Sequence, residues 1–265
     1  MSLPDFVRRF WYASIELGDR TARTPWGAVA TDRRYPLVWD ANNATVLEPA
    51  KGLTAAAIRA DLAPALHAAG APFEHVEFWD ISAGGPALEE YRRSGQRPDP
   101  DMVMVLDRLA LPGRGGSVQT LEVARPDRSF WDWYRESLHE FGTAKSEDLL
   151  DQMTDRTAQV FVPAGLRFYV GLLDGQRVGY ASLLSLEGVG YLDHVVTMPS
   201  LRRRGVATAT VTAAVQASLS GGDRHLFLLA ERDGEPQRLY ERLGFRVQAA
   251  VESFTRLLAE DRFPA

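Results

Sequence analysis

The sequence predicts an α/β (α+β) protein, with strands and helices interleaved along the chain. Three observations carry that reading. Segments of strand-like alternation and of helical periodicity follow one another, in the downstream half in the order β-α-α-β-β-β-α-β-α-β-β. Asp174-Gly175 is a hairpin signal between two strand-like runs, so neighbouring strands there should pair antiparallel. The 265 residues are 45% hydrophobic and 25% charged, enough apolar material for one large domain or two modest ones.

The upstream elements come first. Phe10 to Leu17 and Trp26 to Thr31 read as strands around the turn residues Gly18-Asp19. Thr54 to Ala69 is an alanine-rich helix, with Thr54 as N-cap and Gly70 at its end. Pro64 within it predicts a kink, or two joined pieces. Phe73 to Trp79 is a strand, Pro86 to Arg93 a helix stopped by Gly95, and Met102 to Leu106 a strand. Leu111 to Ser117, with three glycines and a proline, is the expected linker. It sets the boundary between a domain at 1–112 and one at 113–265.

Downstream, Val118 to Val123 alternates like a strand. Pro126 to Phe141, carrying Phe130, Trp131, Trp133, Tyr134 and Leu138, is an amphipathic helix. Ser146 to Thr157 is a second helix with an acidic first turn. Leu166 to Leu173, Val178 to Leu186 and Val189 to Thr197 are strands. Ala207 to Leu219 is a helix ended by Gly221-Gly222, Leu226 to Ala230 a strand, and Glu235 to Leu243 a helix stopped by Gly244. Two strands, near Val247 and Phe254, follow.

Composition removes several function classes. There is no cysteine, so disulfides, zinc-thiolate sites and a cysteine nucleophile are excluded. The five histidines show neither HxH nor HExxH spacing, and no metal is expected. A net charge of -5 argues against non-specific nucleic-acid binding. No apolar run approaches membrane-spanning length, and the charged Met1–Phe10 stretch is unlike a signal peptide, so a cytoplasmic location is expected. Only Lys51 and Lys145 among the 30 basic residues are lysines, which fits a GC-rich coding bias.

The two halves echo one another. Pro49 and Pro199 are 150 positions apart, as are His75 and His225. Tyr91-Arg-Arg-Ser-Gly95 matches Tyr240-Glu-Arg-Leu-Gly244 at an offset one shorter. The shared order of proline, helix, apolar strand and Tyr-x-Arg-x-Gly helix end predicts a duplicated unit.

The sharpest local feature is Met198-Pro199-Ser200-Leu201-Arg202-Arg203-Arg204-Gly205-Val206-Ala207, between a strand and a helix. A helix N-terminus exposes unsatisfied backbone N–H groups, and its dipole favours an anion. Gly205 and Ala207 let a ligand approach the main chain, and guanidinium forks match phosphate geometry. The pattern reads as a pyrophosphate cradle; its plainer alternative is a solvated basic helix start.

Arg202-x-x-Gly205-x-Ala207 after a strand resembles the Q/R-x-x-G-x-G/A signature of the GCN5-related N-acetyltransferase (GNAT) superfamily. Leu239-Tyr240-Glu241-Arg242-Leu243-Gly244-Phe245 is similar to its LYxxxGF motif. The resemblance covers about residues 117 to 258. It implies a GNAT-like mixed, largely antiparallel central sheet flanked by helices, in two tandem GNAT-like units of which the upstream one is degenerate, as in tandem acetyltransferases of the mycothiol synthase type. That upstream unit has Pro49-Ala-Lys-Gly-Leu-Thr54 where the arginine-rich turn would be, and its two early helices are expected to be missing.

The resemblance further implies acetyl-CoA as co-substrate. Val195, Val196 and Thr197 would pair with pantetheine, and Arg202, Arg203, Arg204, Gly205, Val206, Ala207 and Thr208 would surround the pyrophosphate. Asp233 stands where the family often has Asn, which puts one cofactor hydrogen bond in doubt. Tyr240 matches the general acid that protonates the departing thiolate. Asp193 and His194 lie near the family's usual base position; strand alternation would put them on opposite faces, so one at most would enter the site. The reaction implied is transfer of acetyl to a primary amine of a small-molecule acceptor, with no nucleic-acid or membrane partner, in a monomer or homodimer. The alternative from another class is a non-catalytic acyl-CoA sensor on the same fold. Trp131, Trp133 and Tyr134 either line an acceptor pocket or pack the core.

Overall fold

The computed structural model describes residues 2–81, 84–96, 98–110, 118–140 and 146–258. The expected linker at 111–117 lies outside the described residues. The chain divides into two compact units: residues 1–103 with 247–265, and residues 104–246. A cut at residue 112 would place 247–265 downstream; the contacts put them in the first unit.

The first unit opens with helix α1 (Asp5–Ile15), followed by β1 (Arg20–Thr24), β2 (Gly27–Thr31) and β3 (Asn43–Val46). Helix α2 (Ala55–Ala69), β4 (Phe73–Phe78), α3 (Gly85–Arg93) and β5 (Asp99–Leu106) follow. The chain crosses between units within β5. Strand β1 pairs antiparallel with β2, β2 antiparallel with β3, and β3 parallel with β4.

Two expectations fail here. Residues Phe10 to Leu17 are not a strand, because Leu3, Val7, Phe10 and Ile15 recur at helical spacing and all are buried. Pro64 does not break α2: it is exposed, and the buried row Ile58, Leu62, Leu66 and Ala69 runs past it on the opposite face. A mid-helix proline costs about 3 kcal/mol. Burying Ile58, Leu62 and Leu66 contributes about 1.5–3 kcal/mol each, so the row outweighs the proline. The row joins Phe73, Val76, Phe78, Leu88 and Tyr91 in one core, while Ile15 of α1 packs with Ala28 and Ala30 in another.

The second unit contains β6 (Gln119–Val123), α4 (Arg128–Glu140), α5 (Glu147–Arg156), β7 (Arg167–Leu173), β8 (Gln176–Leu186) and β9 (Val189–Thr197). After these come α6 (Val206–Ser220), β10 (His225–Glu231) and α7 (Glu235–Leu243). Strands β6 to β9 pair antiparallel in sequence order, and β10 joins β9 in parallel. The molecule is thus a mixed, mostly antiparallel sheet protein flanked by helices.

The last strand, β11 (Phe245–Leu257), is one continuous strand rather than the two expected. It returns to the first unit and pairs antiparallel with β4, Glu252 opposite Phe78 and Leu257 opposite Phe73.

Layering in the second unit follows from side-chain size. On one face of the β7–β8 hairpin, Phe168 and Tyr180 pack on Phe130 and Tyr134 of α4. On the other face Gly171 stands opposite Gly179. A Cβ on Gly179 would lie 2.3 Å from the Val196 carbonyl oxygen and 2.9 Å from Val206 Cγ1. Only glycine lets the start of α6 sit that close to the sheet, and this fixes where the helix N-terminus points.

Candidate functional site

Strands β9 and β10 pair over four residues, from Val189 opposite His225 to Leu192 opposite Leu228. Strand β9 continues to Thr197 and β10 to Glu231, so the two part after that point. On its other edge β9 stays paired with β8, Ala181 opposite Val195 and Gly179 opposite Thr197. The main chain of Val195 to Thr197 therefore has one edge in the sheet and one released from it. Thr197 Oγ1 is buried and makes no hydrogen bond.

From Thr197 the chain turns through Pro199–Leu201 into α6. Gly205 caps that helix in the left-handed region (φ 82°) and gives no side-chain cap. Arg203, two residues before it, is also left-handed (φ 65°), a strained state for a non-glycine residue. The first main-chain donor satisfied in this turn is the Ala209 N–H, which donates to Gly205 O at 2.9 Å. The N–H groups of Val206, Ala207 and Thr208 thus have no partner within the helix. A Cβ at Gly205 would meet nothing within 4 Å, so the space before these donors is open.

These elements wall a cleft of about 870 Å³. Val195 and Thr197 line it from β9, with Arg202, Arg203, Gly205, Val206, Ala207 and Thr208 from the turn. Helix α7 adds Glu235, Pro236, Arg238, Leu239, Tyr240 and Arg242. Four arginines against one carboxylate make the cleft a place for an anion. The Arg203–Glu235 ion pair, 3.0 Å, is exposed and contributes little.

Most residues expected at the cofactor lie here, but not all. Val196 turns inward and is buried. Arg204 and Asp233 are exposed and do not line the cleft. Asp233 instead holds a left-handed backbone (φ 61°), its N–H donating to Gln237 Oε1 at 2.8 Å. Arg238 and Arg242 escaped the sequence reading. The signal was present: 235, 238, 239 and 242 fall on one helical face, while Tyr240 and Leu243 are the buried residues of the helix.

Tyr240 is 6% exposed and packs edge-on against Phe245, ring centroids 6.0 Å apart. Burial pushes its phenol above the ordinary value, so it holds its proton through the neutral range.

Asp193 and His194 are brought together, against strand alternation. Ala181 faces Val195 and Leu183 faces Leu192, so Ser182 alone spans both residues. This is a β-bulge, which re-aims the side chains of the bulged pair. It leaves His194 Nε2 3.9 Å from Asp193 Oδ1. The other ring nitrogen, Nδ1, lies 3.4 Å from the Tyr134 hydroxyl.

That hydroxyl is 3.2 Å from Thr157 Oγ1, and Thr157 donates to the Met153 carbonyl at 2.9 Å. With its only proton so used, Thr157 accepts from Tyr134. Tyr134 oxygen then accepts from His194 Nδ1–H, leaving Nε2 as the bare nitrogen. Tyr134 is thereby a fully buried polar link rather than a pocket wall. Trp131 and Trp133 pack around it and Tyr180, Trp133 with Tyr180 at 5.4 Å.

Residues 128–245 match the model of the acetyltransferase (GNAT) family. That stretch is a GNAT domain. The match runs from α4 to the first residue of β11 and contains the cleft.

Among solved structures, a GCN5-related N-acetyltransferase from Kribbella flavida is 19% identical, with a TM-score of 0.67 over 96% of each chain. A functionally unknown conserved protein from Staphylococcus epidermidis is 14% identical, TM-score 0.67, over 91% of this chain and 95% of that one. A GCN5-related N-acetyltransferase from Sphaerobacter thermophilus is 21% identical, TM-score 0.54, over 76% and 65%. At these identities the likeness is one of fold. No curated protein matches the chain.

Proposed function

We propose that the protein is an N-acetyltransferase that moves the acetyl group of acetyl-CoA to a primary amine of a small-molecule acceptor, by direct attack within a ternary complex. The observation that carries this reading is the uncapped start of α6 beside the released edge of β9, with Tyr240 on the same cleft.

The residues present fit coenzyme A. The free N–H groups of the α6 first turn, with Arg202 and Arg203, suit a pyrophosphate. Arg238 and Arg242 extend the positive wall. The free edge of Val195–Thr197 suits the amides of a pantetheine arm, and the unpartnered Thr197 hydroxyl lies on that path. Bound acetyl-CoA supplies an activated carbonyl and a thiolate leaving group.

The chain supplies the proton handling. His194 Nε2, kept bare by Tyr134, takes the proton of the attacking amine, and Asp193 stabilises the imidazolium. Tyr134 acts here as a positioning residue. Tyr240, its proton retained by burial, donates to the leaving thiolate.

The first unit is, on this reading, a copy without a cradle, serving structure rather than catalysis. The test is thiol release from acetyl-CoA across a panel of primary amines, beside calorimetry with coenzyme A. Turnover with one coenzyme A per chain supports the proposal. Binding without turnover on any amine would favour the sensor instead.

A further inference from the structure

We propose that Asp40, His75 and Glu77, in the first unit, form a divalent-cation site of the zinc class. His75 and Glu77 alternate along β4 at i and i+2, so both side chains leave the same face of the strand. Asp40 comes from the short turn Trp39–Ala41. One ligand-type atom from each residue lies within 4.8 Å of the other two.

Two further contacts aim these atoms. His75 Nδ1 is 2.7 Å from Thr255 Oγ1, and the Trp79 indole N–H donates to Glu77 Oε2 at 2.8 Å. Each uses the atom that points away from the cluster, leaving His75 Nε2 and Glu77 Oε1 turned inward. A metal-ligating histidine is held in this way through its other ring nitrogen. The Trp39 ring stacks on His75, centroids 5.9 Å apart, and fixes its plane.

The inner separation is within hydrogen-bond reach and also fits a metal site. His75 Nε2 and Glu77 Oε1 are 3.3 Å apart. A charge-assisted N–H···O bond closes to about 2.7–2.9 Å. Two ligands at about 2.0–2.1 Å from a tetrahedral zinc lie about 3.3–3.4 Å apart. The pair is spaced as the edge of a coordination tetrahedron, although both side chains are buried and their outer atoms fixed. Asp40 is exposed, and its ligand atom stands within 4.8 Å of those of the buried pair. One nitrogen and two carboxylates suit zinc, with a fourth position left to water. The absence of HxH and HExxH spacing hid this set, because a strand presents ligands two apart and the third comes from a distant turn.

The test is equilibrium dialysis of the full chain against zinc chloride, with elemental analysis and circular dichroism to verify folding. One zinc per chain is expected, lost in His75→Ala and weakened tenfold or more in the exposed variant Asp40→Asn. Thr255→Val keeps all three ligands and removes only the Nδ1 partner, and is expected to weaken binding by about 10–100-fold. If the unaltered chain binds no zinc, the proposal is overturned. It is equally overturned if folded Asp40→Asn binds as tightly as the parent, which also covers a failure of His75→Ala to fold.

Discussion

Helices α2 and α6 each begin a unit's strand–helix crossing, yet only α2 is capped from within. The Thr54 hydroxyl accepts the Ala57 N–H at 3.2 Å, and Glu90 Oε2 accepts the Ala55 N–H at 2.7 Å. The anion that a helix start favours is already built into the first unit, as its own carboxylate. Helix α6 has Gly205 in that place and no internal acceptor.

The tyrosines differ in the same sense. Tyr91 is fully buried, and its hydroxyl donates to Glu74 Oε1 at 3.2 Å. That carboxylate also takes Arg59 and Arg256, with Arg59 4.9 Å over the Tyr91 ring. Tyr240 lines a cleft. One sequence pattern therefore has two outcomes: closed upon itself it braces a core, and left open it lines a cleft.

The largest effect should come from closing the open helix start. Gly205→Glu places a carboxylate before the free N–H groups, in a backbone region that costs a non-glycine residue about 1–2 kcal/mol. Coenzyme A binding should be abolished in a folded protein, as calorimetry beside circular dichroism would show; retained affinity would break the contrast with α2.

Next comes the phenol. Tyr240→Phe should lower turnover by roughly 10²-fold or more. Its coenzyme A affinity should shift by no more than about 1 kcal/mol. Tyr91→Phe should leave turnover unchanged. Steady-state rates of the two variants side by side test whether the paired tyrosines have parted in role.

A smaller effect belongs to pH. Burial raises the phenols of Tyr91, Tyr134, Tyr180 and Tyr240 above their ordinary 10.0. Below that value folded and unfolded chains both hold these protons, so the stabilisation is complete. As pH rises past it the unfolded chain releases them first, and stability falls. Melting temperatures from pH 8 to 11 should be level at first and then decline. The smallest effect is Thr54→Ala, which removes the internal cap of α2 at a cost of about 1 kcal/mol. That corresponds to a drop of about 2–4 °C in melting temperature for a domain of 150–250 residues.

How legible these features were depended on how local their causes are. The cap at Thr54 and the bounds of α7 rest on neighbouring residues and could be read directly. Helix α1 was mistaken for a strand because Phe10-Trp11-Tyr12 favours strands when read alone; its helical row shows only once Leu3 and Val7 are counted. Strand β3 was missed because Asn43 and Thr45 are polar, though both are buried. The Gln248-Ala249-Ala250 stretch is a poor strand former and split β11 in two, whereas pairing of its later part with β4 holds it in line. At the site, the turn and Tyr240 were visible. The bulge that joins Asp193 to His194 was not, since it is set by the register against β8.

The return of β11 to the first unit has a consequence for how the chain is made. Strand β4 emerges from the ribosome long before its partner, for Phe78 must wait for Glu252. Throughout synthesis of residues 104–246 the first unit has an unfilled edge, a row of main-chain groups open to any strand that passes. The second unit, an uninterrupted stretch, is complete before that edge is closed. Order of synthesis thus favours the second unit first and the first unit last, with β11 as its closing strand.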